Sequence, residues 1–257
     1  GPVEGALAVG EGEGPGRMLE PDHIVEHVGR ALGEEEAFRG RRVLVTAGPT
    51  REAIDPVRYV GNRSSGRMGY ALAQAAWRRG AEVVLVSGPT ALEPPVGAEV
   101  LRVESAREMH AAVAERIGAS DLNLLVAAVA DYRPAAPKAQ KVKRKETGES
   151  LVLPLEATAD IALETAGTRK PGSVTVGFAL ETIDLLAGAT AKLEAKRLDL
   201  VVANDASESG SGFEVATNRV TLLAPGCPPE ALPLLPKHEV AERILDRVAP
   251  LLEAAAR

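Results

Sequence analysis

Short apolar runs that stop at small or polar residues constrain this chain more than any other feature. Val43-Leu44-Val45-Thr46-Ala47, Val83 to Ser87, Val100 to Val103, Leu124 to Ala130, Val174 to Phe178 and Leu200 to Ala203 are too short for helices and are apolar at successive positions. That is the pattern of strands buried on both faces of a parallel sheet. Helical spacing fills the intervals. Met68, Ala71, Leu72, Ala75 and Ala76 lead to Arg79, with Gly80 at the position after the last turn that favours glycine. Ser105 followed by Glu108 is a capping-box pattern for a helix to about Ile117. Further helices are expected from Thr158 to Ala166, Leu185 to Lys196 and Glu239 to Ala255, with a short strand at Leu151 to Leu155 and a hairpin over Phe213 to Ala224 turning at Asn218. Strands alternating with helices imply an α/β fold, a Rossmann-like doubly wound, mostly parallel sheet with helices on both faces and a small β-hairpin extension.

Composition narrows the function. Of 257 residues 45% are hydrophobic but only 3% aromatic, so the core must be built from Ala, Val and Leu. A net charge of −6 argues against a nucleic-acid coat, which needs a broad basic face. No apolar segment approaches the roughly 20 residues of a membrane span, and no basic-then-apolar leader is visible, so a cytoplasmic protein is expected. The single cysteine, Cys227, excludes an internal disulfide and a multi-cysteine zinc site. His23 and His27 stand four apart on a helical stretch, where they read as a shared metal site or as ordinary solvated histidines. Residues 1–40 are too glycine-rich to form a domain, and only Asp22 to Leu32 has helical spacing. The main domain is expected over 41–257.

Polar chemistry gathers where the strands end. After Leu124 to Ala130 comes Asp131, then a Pro/Ala segment, then Lys138, Lys141, Lys143, Arg144 and Lys145. In open α/β sheets ligands bind outside the carboxyl ends of the strands. A carboxylate beside a mobile cationic loop there suits a nucleoside triphosphate, although a charge run is also how a solvated face looks. Gly61-Asn62-Arg63-Ser64-Ser65-Gly66-Arg67-Met68-Gly69 precedes the first long helix and reads as a phosphate cradle or as a glycine-rich turn. Arg58 could clamp an anion or pair with Asp55. Lys192 and Lys196 share one helix face.

Several of these motifs occur together. Thr46-Ala47-Gly48-Pro49-Thr50-Arg51-Glu52, Asp55-Pro56-Val57-Arg58-Tyr59, Asn62 to Gly69, Ala127-Ala128-Val129-Ala130-Asp131-Tyr132, Val176-Gly177-Phe178-Ala179 with Glu181-Thr182, and Ala203-Asn204-Asp205 closely resemble the phosphopantothenoylcysteine synthetase (phosphopantothenate–cysteine ligase) family from residue 42 to about 250. The resemblance implies a ligase that joins 4′-phosphopantothenate to L-cysteine, using CTP and Mg²⁺ through an acyl-cytidylate. It implies a homodimer with no nucleic-acid or membrane partner. It also implies that Asn62 stabilises the acyl-cytidylate and that Arg58 supports the substrate. Asp131, Lys141, the stretch Ala159-Asp160-Ile161-Ala162, Phe178, Lys192 and Lys196 would contact CTP. Ser64, Ser65 and Gly66 are the expected seat of a substrate phosphate, and the residues that hold the metal are not indicated. The family usually has Pro-Asp-Ile where this chain has Ala159-Asp160-Ile161, and two final lysines where it has Lys143-Arg144. The first 32 residues resemble the last segment of the flavin-dependent phosphopantothenoylcysteine decarboxylase. The flavin-binding core and the cysteine expected near Ala8-Val9-Gly10 are missing, so neither FMN nor decarboxylation is expected. The alternative is a nucleotide-binding Rossmann-like module without ligase activity.

Overall fold

A computed structural model describes residues 3–6, 12–33, 35, 37–181, 184–205 and 215–255. The apolar runs become β1 (Arg42–Ala47), β2 (Glu82–Ser87), β3 (Glu99–Arg102), β4 (Leu122–Leu125), β5 (Val174–Glu181) and β6 (Leu200–Asp205), joined by β7 (Val220–Leu223) and β8 (Glu230–Ala231). They lie in the order β3-β2-β1-β4-β5-β6-β7-β8 as one eight-stranded sheet. Neighbours are parallel as far as β6, whereas β7 and β8 are antiparallel additions at one edge. Chain order reverses between β1 and β4. Such a switch point leaves a crevice at the carboxyl ends of the two strands, because the loops that follow them diverge.

Helices cover both faces. They are α1 (Pro21–Gly33), α2 (Arg67–Arg78), α3 (Ala106–Arg116), α4 (Leu185–Ala195) and α5 (Lys237–Ala255), besides single turns at Arg144–Thr147 and Ile161–Glu164. Alternation along each strand sorts the packing. Val43, Val45 and Ala47 join Leu72, Ala76, Ile244 and Val248 under α2 and α5, while Leu44 joins Met109 and Val113 under α3. On β6, Leu200 and Val202 face the α2/α5 layer, and Val201 and Ala203 face Ala189 and Leu193 of α4. The capping box at Ser105 and Glu108 forms as expected.

Four local expectations change. The strand expected over Leu124 to Ala130 is confined to β4, since the chain leaves the sheet at Val126. The strand expected at Leu151 to Leu155 lies instead at Leu155–Ala157, paired antiparallel with Tyr132–Pro134. Thr158 caps no helix, because its hydroxyl donates to the Ala130 carbonyl at 2.5 Å; Asp160 takes over, accepting from Leu163 N at 3.2 Å to cap a single turn. Asn218 is not a hairpin tip, for Thr217–Asn218 pairs with Leu235–Pro236 and the turn falls between β7 and β8. Residues 213 and 214 of that expected hairpin lie outside the described residues.

The amino-terminal segment is more structured than its glycines imply. Val3–Ala6 pairs antiparallel with Glu13–Arg17. No residue of α1 is buried, yet the helix is fixed to the rest through Arg30, which donates to the carbonyls of Trp77, Gly80 and Ala81. The Trp77 carbonyl belongs to the last turn of α2 and the other two follow its end, where a cation is favoured. His27 meets the Trp77 ring edge-on at 5.1 Å, so an aromatic contact engages it. No helix among the described residues is long and apolar enough to cross a membrane.

Gly69, in the first turn of α2, sets how closely that helix approaches β1. A Cβ there would lie 2.6 Å from Ala47 Cβ and 3.0 Å from the Thr46 carbonyl oxygen. Gly69→Ala should therefore destabilise the fold by about 1–3 kcal/mol, the usual cost of overpacking, measured as a lower urea midpoint. An unchanged midpoint would mean that α2 can move off the sheet without loss.

Candidate active site

The switch point is closed by side chains. Thr46 Oγ1 accepts from Val126 N at 3.0 Å and Ala127 N at 3.1 Å, drawing the chain after β4 across the end of β1. Ala128 N donates to the Gly48 carbonyl at 2.9 Å, and Thr50 Oγ1 accepts from Ala130 N at 2.9 Å. Between these fastened loops and the ends of β5 and β6 lies a cavity of about 840 Å³.

The start of α2 forms part of its wall. Gly66 sits at the helix N-cap with φ 76°, a left-handed conformation that glycine adopts without strain. No side chain caps the first turn, so its N–H groups suit an anion. Ser64, Ser65 and Gly66 all line the cavity. Ser64 Oγ also accepts from Gly66 N at 3.2 Å, which fixes the turn.

Most of the residues singled out by sequence meet here. Asn62, Asp131, Ala159, Asp160, Ile161, Ala162, Phe178, Lys192 and Lys196 line the same space. Asn62 Nδ2 donates to the Val129 carbonyl at 2.8 Å, and Lys192 Nζ donates to that of Phe178. Lys196 Nζ lies 2.8 Å from Asp160 Oδ2. Burial works against the Asp160 charge, but the Lys196 ammonium and the Leu163 N–H outweigh it and hold the carboxyl below the ordinary aspartate range.

Two expected residues stand apart from this group. Arg58 and Lys141 are not among the residues lining the cavity. The Arg58 guanidinium pairs with Asp55 and also donates to the Val142 carbonyl at 2.9 Å. The basic segment, expected from sequence to be a mobile cationic loop, is tethered here: Val142 N donates to Asp55 Oδ2 at 3.1 Å, and Lys138 N to the Ile54 carbonyl at 2.9 Å.

Arg67 of the Gly61 to Gly69 stretch and Asn204 of the Ala203-Asn204-Asp205 motif also line the cavity, and so do two residues not foreseen as part of a site, Asn218 and Lys237; Lys237 is only 7% exposed. Burial, and then the Arg67 charge, push its ammonium below the usual lysine range. The available signal was positional, since a lysine opening a helix opposes the helix dipole. Among the described residues no three His, Cys, Asp or Glu side chains cluster as a metal site. Among the described lining residues, with Asp160 held by Lys196, Asp131 is the carboxylate available to a cation. That suits Mg²⁺, which is commonly held by one or two carboxylates plus substrate phosphates.

The Asp55 turn yields a direct test. Its side chain is fully buried and accepts from Val57 N and Arg58 N, both at 2.9 Å, besides the Arg58 and Val142 bonds. Asp55→Ala should release the segment, and trypsin should then cut between Lys138 and Lys145 several-fold faster than in the unchanged chain. An unaltered cleavage rate would show that the segment does not depend on Asp55.

Known proteins resemble this chain in sequence and fold. The coenzyme A biosynthesis bifunctional protein CoaBC of Vibrio vulnificus (strain YJ016) is 44% identical over 256 residues, 98% of this chain and 62% of that protein. The chain therefore spans a little under two thirds of the length of such relatives. The solved C-terminal domain of a CoaBC superposes with a TM-score of 0.71 at 40% identity, covering 86% of this chain and 100% of that one. A Cab2 mutant in complex with phosphopantothenate-cysteine shares the fold, with a TM-score of 0.69 at 15% identity, covering 93% and 97%. The family described as the DNA/pantothenate metabolism flavoprotein C-terminal domain matches residues 38–252, the whole of the sheet with its cavity, and the chain belongs to that family.

Proposed function

We propose that this chain is the ligase portion of a longer coenzyme A biosynthesis protein, joining 4′-phosphopantothenate to L-cysteine at the expense of CTP. The observation that carries the reading is the convergence of Asn62, the uncapped start of α2 and the cationic side chains on one cavity at the switch point. Its volume, about 840 Å³, suits a nucleotide with a small acid beside it. The relatives' shared name, with its reference to coenzyme A biosynthesis, points the same way.

The chemistry has two steps. An oxygen of the substrate carboxylate attacks the α-phosphorus of CTP, and pyrophosphate leaves. The amine of cysteine then attacks the acyl carbon, and the bond to CMP breaks. Lys192 and Lys196 bring positive charge to the nucleotide, and the α2 N-terminus favours an anionic group. Asn62 Nδ2, held on Val129 here, donates to the acyl oxygen as it gains charge. Bound by Asp131 and phosphate oxygens, Mg²⁺ would supply further charge neutralisation. Arg58 and Lys141 stand outside their own chain's cavity, which supports a homodimer whose sites lie close to the partner subunit. The flavin of the family description is assigned to the part of the relatives that this chain does not match, and residues 1–40 to the end of that preceding region. A cytoplasmic setting fits a pathway of soluble substrates.

Pyrophosphate release from CTP, with phosphopantothenate present and cysteine present or omitted, tests the assignment. A chain that binds CTP but releases no pyrophosphate in either case is instead a nucleotide-binding module. Within the reaction, Lys141→Gln should suppress pyrophosphate release. Asn62→Asp should still release pyrophosphate but let acyl-cytidylate accumulate, with the second step slowed about 10² to 10³-fold for the lost donor. Equal loss of both steps in the two variants would contradict these roles. If peptide groups around Ala128 to Asp131 and the Phe178 segment pair with the edge of cytosine, ATP should be rejected by roughly 10⁴, the discrimination expected when buried polar groups go unpaired. Comparable turnover with ATP would overturn the CTP assignment.

A further inference from the structure

Two elements that line the cavity are joined to each other twice. Lys196 closes α4, Asp160 opens the single turn at Ile161–Glu164, and their side chains meet in the cavity at 2.8 Å. The second joint is the Arg169 guanidinium, which spans the same two elements. Its Nη2 donates to the Ala162 carbonyl at 2.6 Å and to the Lys196 carbonyl at 3.1 Å, and its Nη1 donates to the Arg197 carbonyl at 2.6 Å. Arg169 is not among the residues lining the cavity. It can act on a ligand only through the groups it holds.

Neither element has much packing of its own. The helix α4 buries only Ala189 and Leu193, and the turn buries only Ile161. Helices in proteins are stabilised mainly by an apolar face, so one with two buried side chains depends on what holds its ends. At the end of α4, Leu198 N donates to the Leu193 carbonyl at 3.0 Å and Arg197 N to that of Glu194 at 3.2 Å. Arg197 has φ 49°, at the position after a helix that favours glycine. The chain thus leaves the helix with the Lys196 and Arg197 carbonyls outside its ladder, and a cation that takes them up is favoured by the helix dipole. Arg169 is itself firmly based. Thr168 N donates to the Thr165 carbonyl at 3.1 Å, and Lys170 Nζ to Asp121 Oδ1 at 2.6 Å. The arrangement has a cost, since Arg169 Nε is buried with no hydrogen-bond partner among the described residues. A lysine would bury no such group, but its ammonium is a point donor, whereas the planar fork reaches three carbonyls on two elements.

We propose that Arg169 is a positioning residue for the nucleotide: it holds the end of α4 against the Asp160 turn and so fixes the Lys196 ammonium where the triphosphate binds. The inference rests on the ligase reading above and adds to it a residue that belongs to none of the sequence motifs. A lysine stem is flexible, so the ammonium is placed only as well as the Lys196 backbone and its Asp160 partner are placed. Releasing either one weakens the hold on phosphate charge. Asn62 is tied to Val129 beyond β4 and does not depend on this joint. Capture of CTP should therefore suffer while the attack of cysteine on the acyl group does not.

The test uses Arg169→Met in the full chain, with pyrophosphate release followed against each substrate in turn. Arg169→Met should lower kcat/KM for CTP about 10- to 100-fold, the scale on which a misplacement of about 1 Å is felt. The KM values for phosphopantothenate and cysteine should stay within about twofold, and cysteine should consume preformed acyl-cytidylate at the unchanged rate. Because Arg169 acts through Lys196, the same substitution made in Lys196→Met should cost less than about threefold for CTP. A residue that merely stabilised the fold would lower every substrate's constant and would do so in both backgrounds. If Arg169→Met does not fold, Arg169→Lys carries the same comparisons, since it keeps the charge and loses the fork; its kcat/KM for CTP should fall about 3- to 10-fold. Equal losses for CTP and phosphopantothenate, an undiminished effect in Lys196→Met, or CTP kinetics in Lys196→Met like those of the unchanged chain would each overturn the assignment. If the unchanged chain releases no pyrophosphate from CTP, the ligase reading fails and takes this inference with it. If it does so and Lys196→Met impairs CTP while folded Arg169 variants do not, only the role of Arg169 fails.

Discussion

A parallel sheet ends in peptide groups that have no further strand to pair with, and at the centre of this one the Thr46 hydroxyl takes two of them. Thr46 is 3% exposed and Thr50 fully buried, so the N–H groups of Val126, Ala127 and Ala130 are satisfied without water. A buried N–H left unpaired costs about 1–3 kcal/mol, enough to decide whether an apolar run stays in the sheet or peels away from it. Here it peels away. Residues 126–129 and Asp131 become the floor of the cavity, and Asn62 finds its carbonyl partner at Val129 because that carbonyl no longer belongs to a strand. Both the place and the shape of the cavity follow from a hydroxyl positioned where β1 stops.

A second constraint holds the helix starts in place. Arg79, at the end of α2, reaches Glu242 Oε2 at 2.8 Å and Asp246 Oδ1 at 2.6 Å on α5, and Glu35 in the segment before β1. Burial alone would lower its pKa, but the carboxylates outweigh burial and raise it, so the cation is secure. Arg78 adds a further bond to Glu242. The two helices are locked together near the C-terminal end of α2, and the spacing of Arg67 and Lys237 follows from rigid elements rather than from loops. A chain of net charge −6 thereby keeps a cationic cavity: many of its carboxylates serve such structural pairs, and few line the cavity.

How much of this was legible depended on whether a signal was local. Strand identity was, because Val43 to Ala47 and Leu200 to Ala203 can be buried on both faces only in a covered sheet. The Ser105 capping box was also legible, since both partners lie within one turn. The end of β4 was not, for Leu124 to Ala130 is uniformly apolar and the reason it bends is a hydroxyl some 80 residues earlier in the chain. Asp160 displaced Thr158 as a cap because Thr158 was engaged by Ala130, a contact that no local pattern carries. The site residues carried by motif, Asn62, Asp131 and Phe178, fall together on one cavity. Lys237 belongs to no motif, and only the fold shows that it is buried.

The Asp55 turn shows what can and cannot move the basic segment. The Arg58 guanidinium, chiefly, and the surrounding N–H groups outweigh burial and hold the Asp55 carboxyl well below the usual carboxylate range. A group whose pKa is depressed on folding contributes stability above its unfolded value of about 3.9, and loses it only as the pH falls through the lower folded value. At any pH where the protein works, Asp55 is therefore charged and its bonds to Arg58 and Val142 persist. Protonation cannot be the release. What can compete is an anion offered to Arg58 or to the neighbouring lysines, since it would take the guanidinium's donors while Asp55 kept its bonds to Val57 N and Arg58 N. Arg58, 43% exposed on its side chain although its partner is fully buried, is the part of the tether that an incoming anion can reach. Ligand charge, rather than pH, is thus what can act on this tether, and it can act through Arg58, the exposed cation of the turn.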